Sequence, residues 1–224
     1  MSDITTTPVT SPDLSRLDRI RRFAGPTALA VGPVLMLSGM ALHVPPLEYG
    51  LEPDEAWIRK VEEQLTQWMT SHFLLTVGLA LMAGGATTIF RLARGRGAVL
   101  TAVGAGLMVL GAALMSLSDL LHGFLTYVLA GHVNATTSLA IHEAYFMLPA
   151  NAVLNNGSTL LPLGLVVLAV ALLRSRAVPR WAALVLLLGP VGIMLGFEFH
   201  NLTLVFGLPL VVGISVLARA IARR

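Results

Sequence analysis

Long apolar stretches set this chain apart from a sequence that folds in water. An α-helix needs about 20 consecutive apolar residues to cross the hydrocarbon core of a bilayer. Stretches of about that length predict six spans near 24–43, 70–90, 98–120, 152–173, 181–198 and 202–219. Of the 224 residues, 55% are hydrophobic and only 12% are charged, about half the share of a soluble domain. The sequence therefore predicts an all-α integral membrane protein folded as a six-transmembrane-helix bundle.

The basic residues indicate the orientation, because cytoplasmic flanks of membrane spans retain Lys and Arg during insertion. With the N-terminus inside, 13 of the 15 basic residues fall on the inner side, and only Arg59 and Lys60 fall outside. Nine of the 12 acidic residues fall on the outer side. We therefore expect a multi-pass protein of the cell (plasma) membrane with cytoplasmic N- and C-termini. The net charge is only +3, and the basic residues lie where a bilayer favours them, so no nucleic-acid partner is expected.

Two segments before the second span differ in character from the spans. Residues 1–15 are rich in Ser, Thr and Pro and predict a disordered cytoplasmic tail, followed by a single membrane domain over 16–224. Residues 53–67 place apolar side chains at helical spacing opposite a charged face. This pattern predicts an amphipathic outer helix that lies on the membrane surface or across the mouth of the bundle.

Residues 121–151 form a second long outer segment, in which a polar patch separates two apolar pieces. Each piece is too short to cross a bilayer. The pieces are interpreted either as extensions of the third and fourth membrane helices, with a kink at Pro149, or as an outer helical hairpin. Small residues also recur at packing distance in the spans, for example Ala24, Ala28 and Gly32. Such faces permit close helix contact, within the chain or in a homo- or hetero-oligomer.

The polar residues collect at one end of the predicted bundle. All six histidines lie at or beyond the outer ends of the spans: His43, His72, His122, His132, His142 and His200. Asp119 and His122 are three residues apart on one helical face, and the apolar run after them predicts that protein or lipid covers both. An ionisable pair in that setting is costly, so it marks either a function or a structural ion pair.

Three sets of candidate site residues follow from this pattern. The candidate acid–base residues are Asp119, His122, His142 and Glu143. The candidate ligands of a divalent metal, drawn from different helices, are His72, Asp119, His122, His142 and His200. The candidate substrate-binding residues are Asn151, Asn155, Tyr145 and Glu198. Two of the histidines would alternatively ligate a haem b. The chain has no cysteine, which excludes disulfides and thiolate chemistry.

These residues favour a small membrane-embedded enzyme, with or without a metal, that acts on a lipidic or amphipathic substrate from the outer face. The alternatives are a substrate-binding or transport subunit with an outward-facing pocket, or a haem-binding electron-transfer subunit. In layout the chain resembles the substrate-binding subunits of energy-coupling-factor vitamin importers, because six helices, inner termini and a long first loop fit in about 200 residues. The excess of Arg over Lys is typical of a bacterium with GC-rich DNA.

Overall fold

The computed structural model describes residues 12–43, 54–196 and 200–224, and the regular secondary structure within these ranges is helical throughout. The helices in chain order are α1 (Pro12–Leu42), α2 (Glu55–Glu63), α3 (Leu65–Ala86), α4 (Ala98–His132), α5 (Ala135–Phe146), α6 (Pro149–Ser158), α7 (Leu160–Ser175), α8 (Arg180–Gly196) and α9 (His200–Ala222). A 3₁₀ helix, Thr87–Leu92, continues α3.

Four helical segments of the described chain are long and apolar enough to cross a membrane. They are Arg22–Leu42, Leu65–Leu92, Ala98–His132 and Pro149–Ser175. The apolar parts of α8 and α9, Arg180–Val191 and Gly207–Ala222, are shorter. The chain thus has the helices of a membrane protein, and the count of six spans stays a prediction.

The helices pack on one another in a regular order. Helices α1, α3, α4 and α7 each contact the next, α7 contacts α8, α8 contacts α9, and α9 returns to α1. The α1–α3 contact depends on glycine, because a Cβ added to Gly32 would lie only 2.7 Å from the carbonyl oxygen of Gly78. Buried Leu29 and Met82 continue this interface into the core. Close backbone approach through small residues is how membrane helices associate without a hydrophobic driving force.

The N-terminal region and the amphipathic helix differ in extent from the predictions. Helix α1 begins at Pro12, so the end of the segment predicted as a disordered tail is helical, while residues 1–11 lie outside the described residues. Helix α2 ends at Glu63, short of the predicted 53–67. The chain turns at Gln64, whose N–H bonds the carbonyl oxygen of Val61 at 3.0 Å. Leu65 therefore already belongs to the next helix, α3.

The second outer segment combines the two predicted arrangements. Helix α4 runs without interruption to His132, so its apolar outer piece is an extension of the third membrane helix. The following piece forms the separate helix α5. Pro149 occupies the first turn of α6, where its missing N–H costs nothing. The helical structure is therefore interrupted between α5 and α6, where the sequence predicted a kink.

Candidate functional site

The short helices α2, α5 and α6 all contact α4, and α2 also contacts α3. Helix α2 is capped at its N-terminus by Asp54, whose carboxylate accepts a hydrogen bond from the Trp57 N–H at 2.8 Å. Its apolar side chains Trp57, Ile58 and Val61 are buried, as expected for an amphipathic helix that packs with one face inward. This end of the molecule contains most of the predicted site residues.

The carboxylate of Asp119 is fixed by two side chains of α3. Its Oδ1 lies 2.9 Å from Nδ1 of His72, and its Oδ2 accepts a hydrogen bond from the Thr76 hydroxyl at 2.8 Å. His72 and Thr76 are one helical turn apart, so both face α4. The side chains of His72 and Asp119 are only 6% and 15% exposed. Asp119 is therefore bonded to His72, whereas the sequence spacing suggested His122.

Four histidine rings, contributed by the end of α1 and by α3, α4 and α5, form a continuous cluster. The ring centroids are 5.1 Å apart for His43 and His72, 5.6 Å for His72 and His122, and 5.3 Å for His122 and His142. Trp57 of α2 lies 5.3 Å from His142, which places the amphipathic helix directly against this histidine cluster. The histidines that the sequence scatters over four segments thus lie in one place.

Trp68 and Gly123 position the cluster, although sequence reasoning did not select them. The indole N–H of Trp68 donates to the carbonyl oxygen of Gly123 at 2.9 Å, and the Trp68 ring lies 4.3 Å from that of His72. A Cβ at position 123 would come within 2.5 Å of the His72 ring, so glycine is required for this packing. Two spacings in the sequence were available as signals. Thr76 follows His72 by four residues and Gly123 follows Asp119 by four, so each pair lies on one helical face.

Several polar atoms of the site are buried without a hydrogen-bond partner among the described residues. They include Nε2 of His72, Nδ1 of His122, Nε2 of His142 and the hydroxyl of Tyr145. Burial lowers the pKa of His142, which is therefore neutral near pH 7, and burial raises the pKa of Tyr145. An unsatisfied buried polar group costs about 1–3 kcal/mol, so a water molecule or a polar ligand would gain a hydrogen bond at each of these atoms.

A cavity of about 530 Å³ opens between α4, α6 and the end of α5. Its lining residues are Met115, Ser118, Asp119, His122, Phe146, Asn151, Asn155, Ser158 and Thr159. The Ser118 hydroxyl donates to Oδ1 of Asn155 at 2.9 Å and so links two walls of the cavity. Four predicted site residues thus share this cavity: Asp119, His122, Asn151 and Asn155.

The other predicted site residues lie elsewhere. His72 and His142 belong to the histidine cluster and do not line the cavity. Glu143 is exposed and, like Tyr145, does not line the cavity. Glu198 and the side chain of His200 lie outside the described residues.

Of the predicted metal ligands, His72, Asp119, His122 and His142 lie near one another, and the side chain of His200 lies outside the described residues. Among the described residues, no group of three or more His, Asp or Glu side chains is placed to hold a metal ion. The described arrangement is that of a largely apolar cavity with a few polar groups, beside a cluster of imidazoles.

No known protein family, curated protein or solved structure matches the chain. In the part that the structure describes, it is an all-helical protein with four membrane-length helices and a largely apolar cavity that carries a few polar groups.

Proposed function

We propose that the protein is a membrane-embedded enzyme that performs acid–base chemistry on a lipidic or amphipathic substrate. The observation that carries the proposal is the 530 Å³ cavity, in which a carboxylate, an imidazole, amides and hydroxyls share the walls. Ligand sites commonly enclose about 300–1,000 Å³ and combine apolar walls with a few convergent polar groups. Buried ionisable groups in a membrane helix are costly and are usually retained for a function.

His122 is the proposed general acid–base. It lines the cavity, and the neighbouring imidazole of His142 lies at a ring distance of 5.3 Å. Asp119 is held in one orientation by His72 and Thr76, so its carboxylate does not have to change rotamer to interact with a substrate in the cavity. The linked pair Ser118 and Asn155 supplies neutral groups that orient a substrate. Proton transfer by a positioned side chain contributes about 10²–10⁴-fold to a rate.

We also propose that the helices form six spans of the plasma membrane, with both termini in the cytoplasm and the cavity facing outward. The guanidinium of Arg22 donates to the carbonyl oxygen of Ala222 at 3.1 Å, which joins the start of the first span to the end of the last helix. The return of α9 to α1 and the bias of arginine toward this end support the same arrangement.

The unpartnered imidazole nitrogens favour a second candidate, in which the same site holds a divalent metal or a haem b. A haem would use two imidazoles of the cluster, whereas a metal-dependent enzyme would need a ligand beyond the described side chains, since no three of these are placed to hold an ion. Metal analysis and a visible spectrum of the purified protein separate these candidates. A Soret band selects haem, and a stoichiometric metal selects the metal-dependent enzyme.

The enzyme proposal is tested by incubating the reconstituted protein with a panel of acyl esters, acyl amides and glycerolipids and following their conversion by mass spectrometry. Asp119→Asn and His122→Ala should each lower turnover at least about 100-fold. His132→Ala is the control, because His132 is exposed and lies at the end of α4, outside the cavity. Unchanged turnover in both site variants would overturn the proposal. If the wild-type protein retains an amphiphile without converting it, and both site variants lose it, the chain is a binding or transport subunit.

A further inference from the structure

We infer that the cavity selects amphiphiles with a cationic head group, an amine or a quaternary ammonium, and rejects those with phosphate or carboxylate head groups. The inference rests on the proposed function, because it names the substrate class of the same cavity. It depends on the charges that the cavity walls present.

The described lining of the cavity includes the carboxylate of Asp119 and contains no Lys or Arg. Most basic residues belong to the segments at the opposite ends of the helices, namely Arg16, Arg19, Arg21, Arg22, Arg91, Arg94, Arg96, Arg174, Arg176, Arg180, Arg219, Arg223 and Arg224. The remaining two, Arg59 and Lys60, are exposed on α2, and Arg59 lies 3.7 Å from Glu55. An anionic head group in the cavity would lose its hydration beside the carboxylate of Asp119 and would find no Lys or Arg in the described lining to pair with, which is strongly unfavourable.

Asp119 has capacity left for a cation. A carboxylate offers about four lone-pair sites, and His72 and Thr76 each bond one oxygen. An ammonium group in the cavity would form a charge-assisted hydrogen bond or a direct ion pair with the remaining sites. The ring of Phe146 lines the same cavity, and a cation over an aromatic face gains further electrostatic attraction.

The surroundings of the cavity fit an amphiphile of that charge. Exposed acids at this end of the molecule, including Asp54, Glu62 and Glu63, produce a negative potential that attracts cations. Leu121 and Phe146, beside or within the lining, are 42% and 41% exposed. These apolar side chains offer a surface along which an alkyl chain can lie while its head group lies beside Asp119 in the cavity.

The test compares three probes that share a dodecyl chain: dodecyltrimethylammonium, 1-O-dodecylglycerol and dodecyl phosphate. Binding to the full-length protein in nanodiscs of zwitterionic lipid is measured by tryptophan fluorescence and by calorimetry. Nanodiscs without protein correct for partitioning into lipid. We expect the ammonium probe to bind at least about tenfold more tightly than the phosphate probe. Equal or tighter binding of dodecyl phosphate would overturn the inference.

Two variants assign the preference to the cavity. Asp119→Asn should abolish the preference for ammonium, whereas Glu62→Gln, which removes the same charge from an exposed position on α2, should leave the ratio unchanged within about twofold. Persistence of the preference in Asp119→Asn would contradict the inference. If that variant does not fold, Phe146→Ala decides, because it should weaken ammonium binding more than glycerol binding.

The two proposals fail separately. The probes contain no ester or amide bond, so their binding reports only the charge preference of the cavity. Turnover that survives in both site variants contradicts the enzyme proposal, whatever the order of probe affinities.

Discussion

The hydrogen bond from Thr76 to Asp119 provides a direct test of how the site is held together. The bond joins α3 to α4 and is 2.8 Å long, and the carboxylate also contacts His72 at 2.9 Å. Thr76→Val removes the hydroxyl and keeps the shape of the side chain. Any loss of stability in this variant therefore comes mainly from the hydrogen bond.

The expected magnitude follows from the setting. Interhelical hydrogen bonds in membrane proteins average about 0.6 kcal/mol and reach about 1.7 kcal/mol. Bonds to an ionised group are roughly twice as strong as neutral ones. We therefore expect Thr76→Val to lower the free energy of unfolding by about 1–2 kcal/mol. Removing both contacts of the carboxylate, as in Asp119→Leu, should cost about 2–4 kcal/mol, because the second contact involves the nearly buried His72.

The assay is denaturant unfolding of the purified protein in mild detergent, followed by circular dichroism and by the fluorescence of the buried Trp57 and Trp68. Thr70→Val is the matched control, since the Thr70 hydroxyl is exposed and bonds the Thr66 carbonyl oxygen of its own helix. In the Asp119→Leu background, Thr76→Val should cost almost nothing. If the two changes add within about 0.5 kcal/mol, the reasoning is refuted, because uncoupled residues behave in that way.

Three further predictions concern topology, pH and packing. Reporter fusions at the C-terminus should be cytoplasmic and one inserted near Asn134 should be external, and an external C-terminus would contradict the six-span proposal. Burial lowers the pKa of His142, so the unfolded state binds a proton before the folded state does as the pH falls below about 6.5. The free energy of unfolding should therefore decline below that pH in the wild type and in the control His132→Ala. The decline should be smaller in His142→Phe. An added Cβ at Gly123 would lie 2.5 Å from the His72 ring, whereas an added Cβ at Gly131 would lie 3.5 Å from the Leu65 side chain. Alanine at 123 should therefore cost about 1–3 kcal/mol in denaturant unfolding, and alanine at 131 should be neutral or stabilising.

The membrane helices were predictable because hydropathy acts over long stretches. The first four predicted spans each overlap one of the four membrane-length helices of the described chain. The exact ends were not predictable, because they depend on single capping events. The turn at Gln64 separates α2 from α3, and Pro149 starts a new helix. A hydropathy average over many residues does not show the effect of one such residue.

The location of the site was also predictable in part. Asp119 and His122 stand out because ionisable residues inside an apolar run are expensive. Their partners do not stand out, because contact between helices depends on rotation about the helix axes. The bond between Asp119 and His72 joins positions 47 residues apart, and helical spacing along one segment carries no information about such a pair.

The histidine cluster places a stability cost beside the proposed site, and the fold contains a visible compensation. Three imidazole nitrogens have no hydrogen-bond partner among the described residues, and a buried polar group that is left unsatisfied costs about 1–3 kcal/mol. Helix α2 offsets this cost by burying Trp57, Ile58 and Val61 against Trp68. Removal of α2 from this position would expose both the apolar cluster and the imidazoles to solvent. The amphipathic helix therefore stabilises the end of the bundle and keeps water from the imidazoles next to the cavity, which strengthens every charge interaction made there.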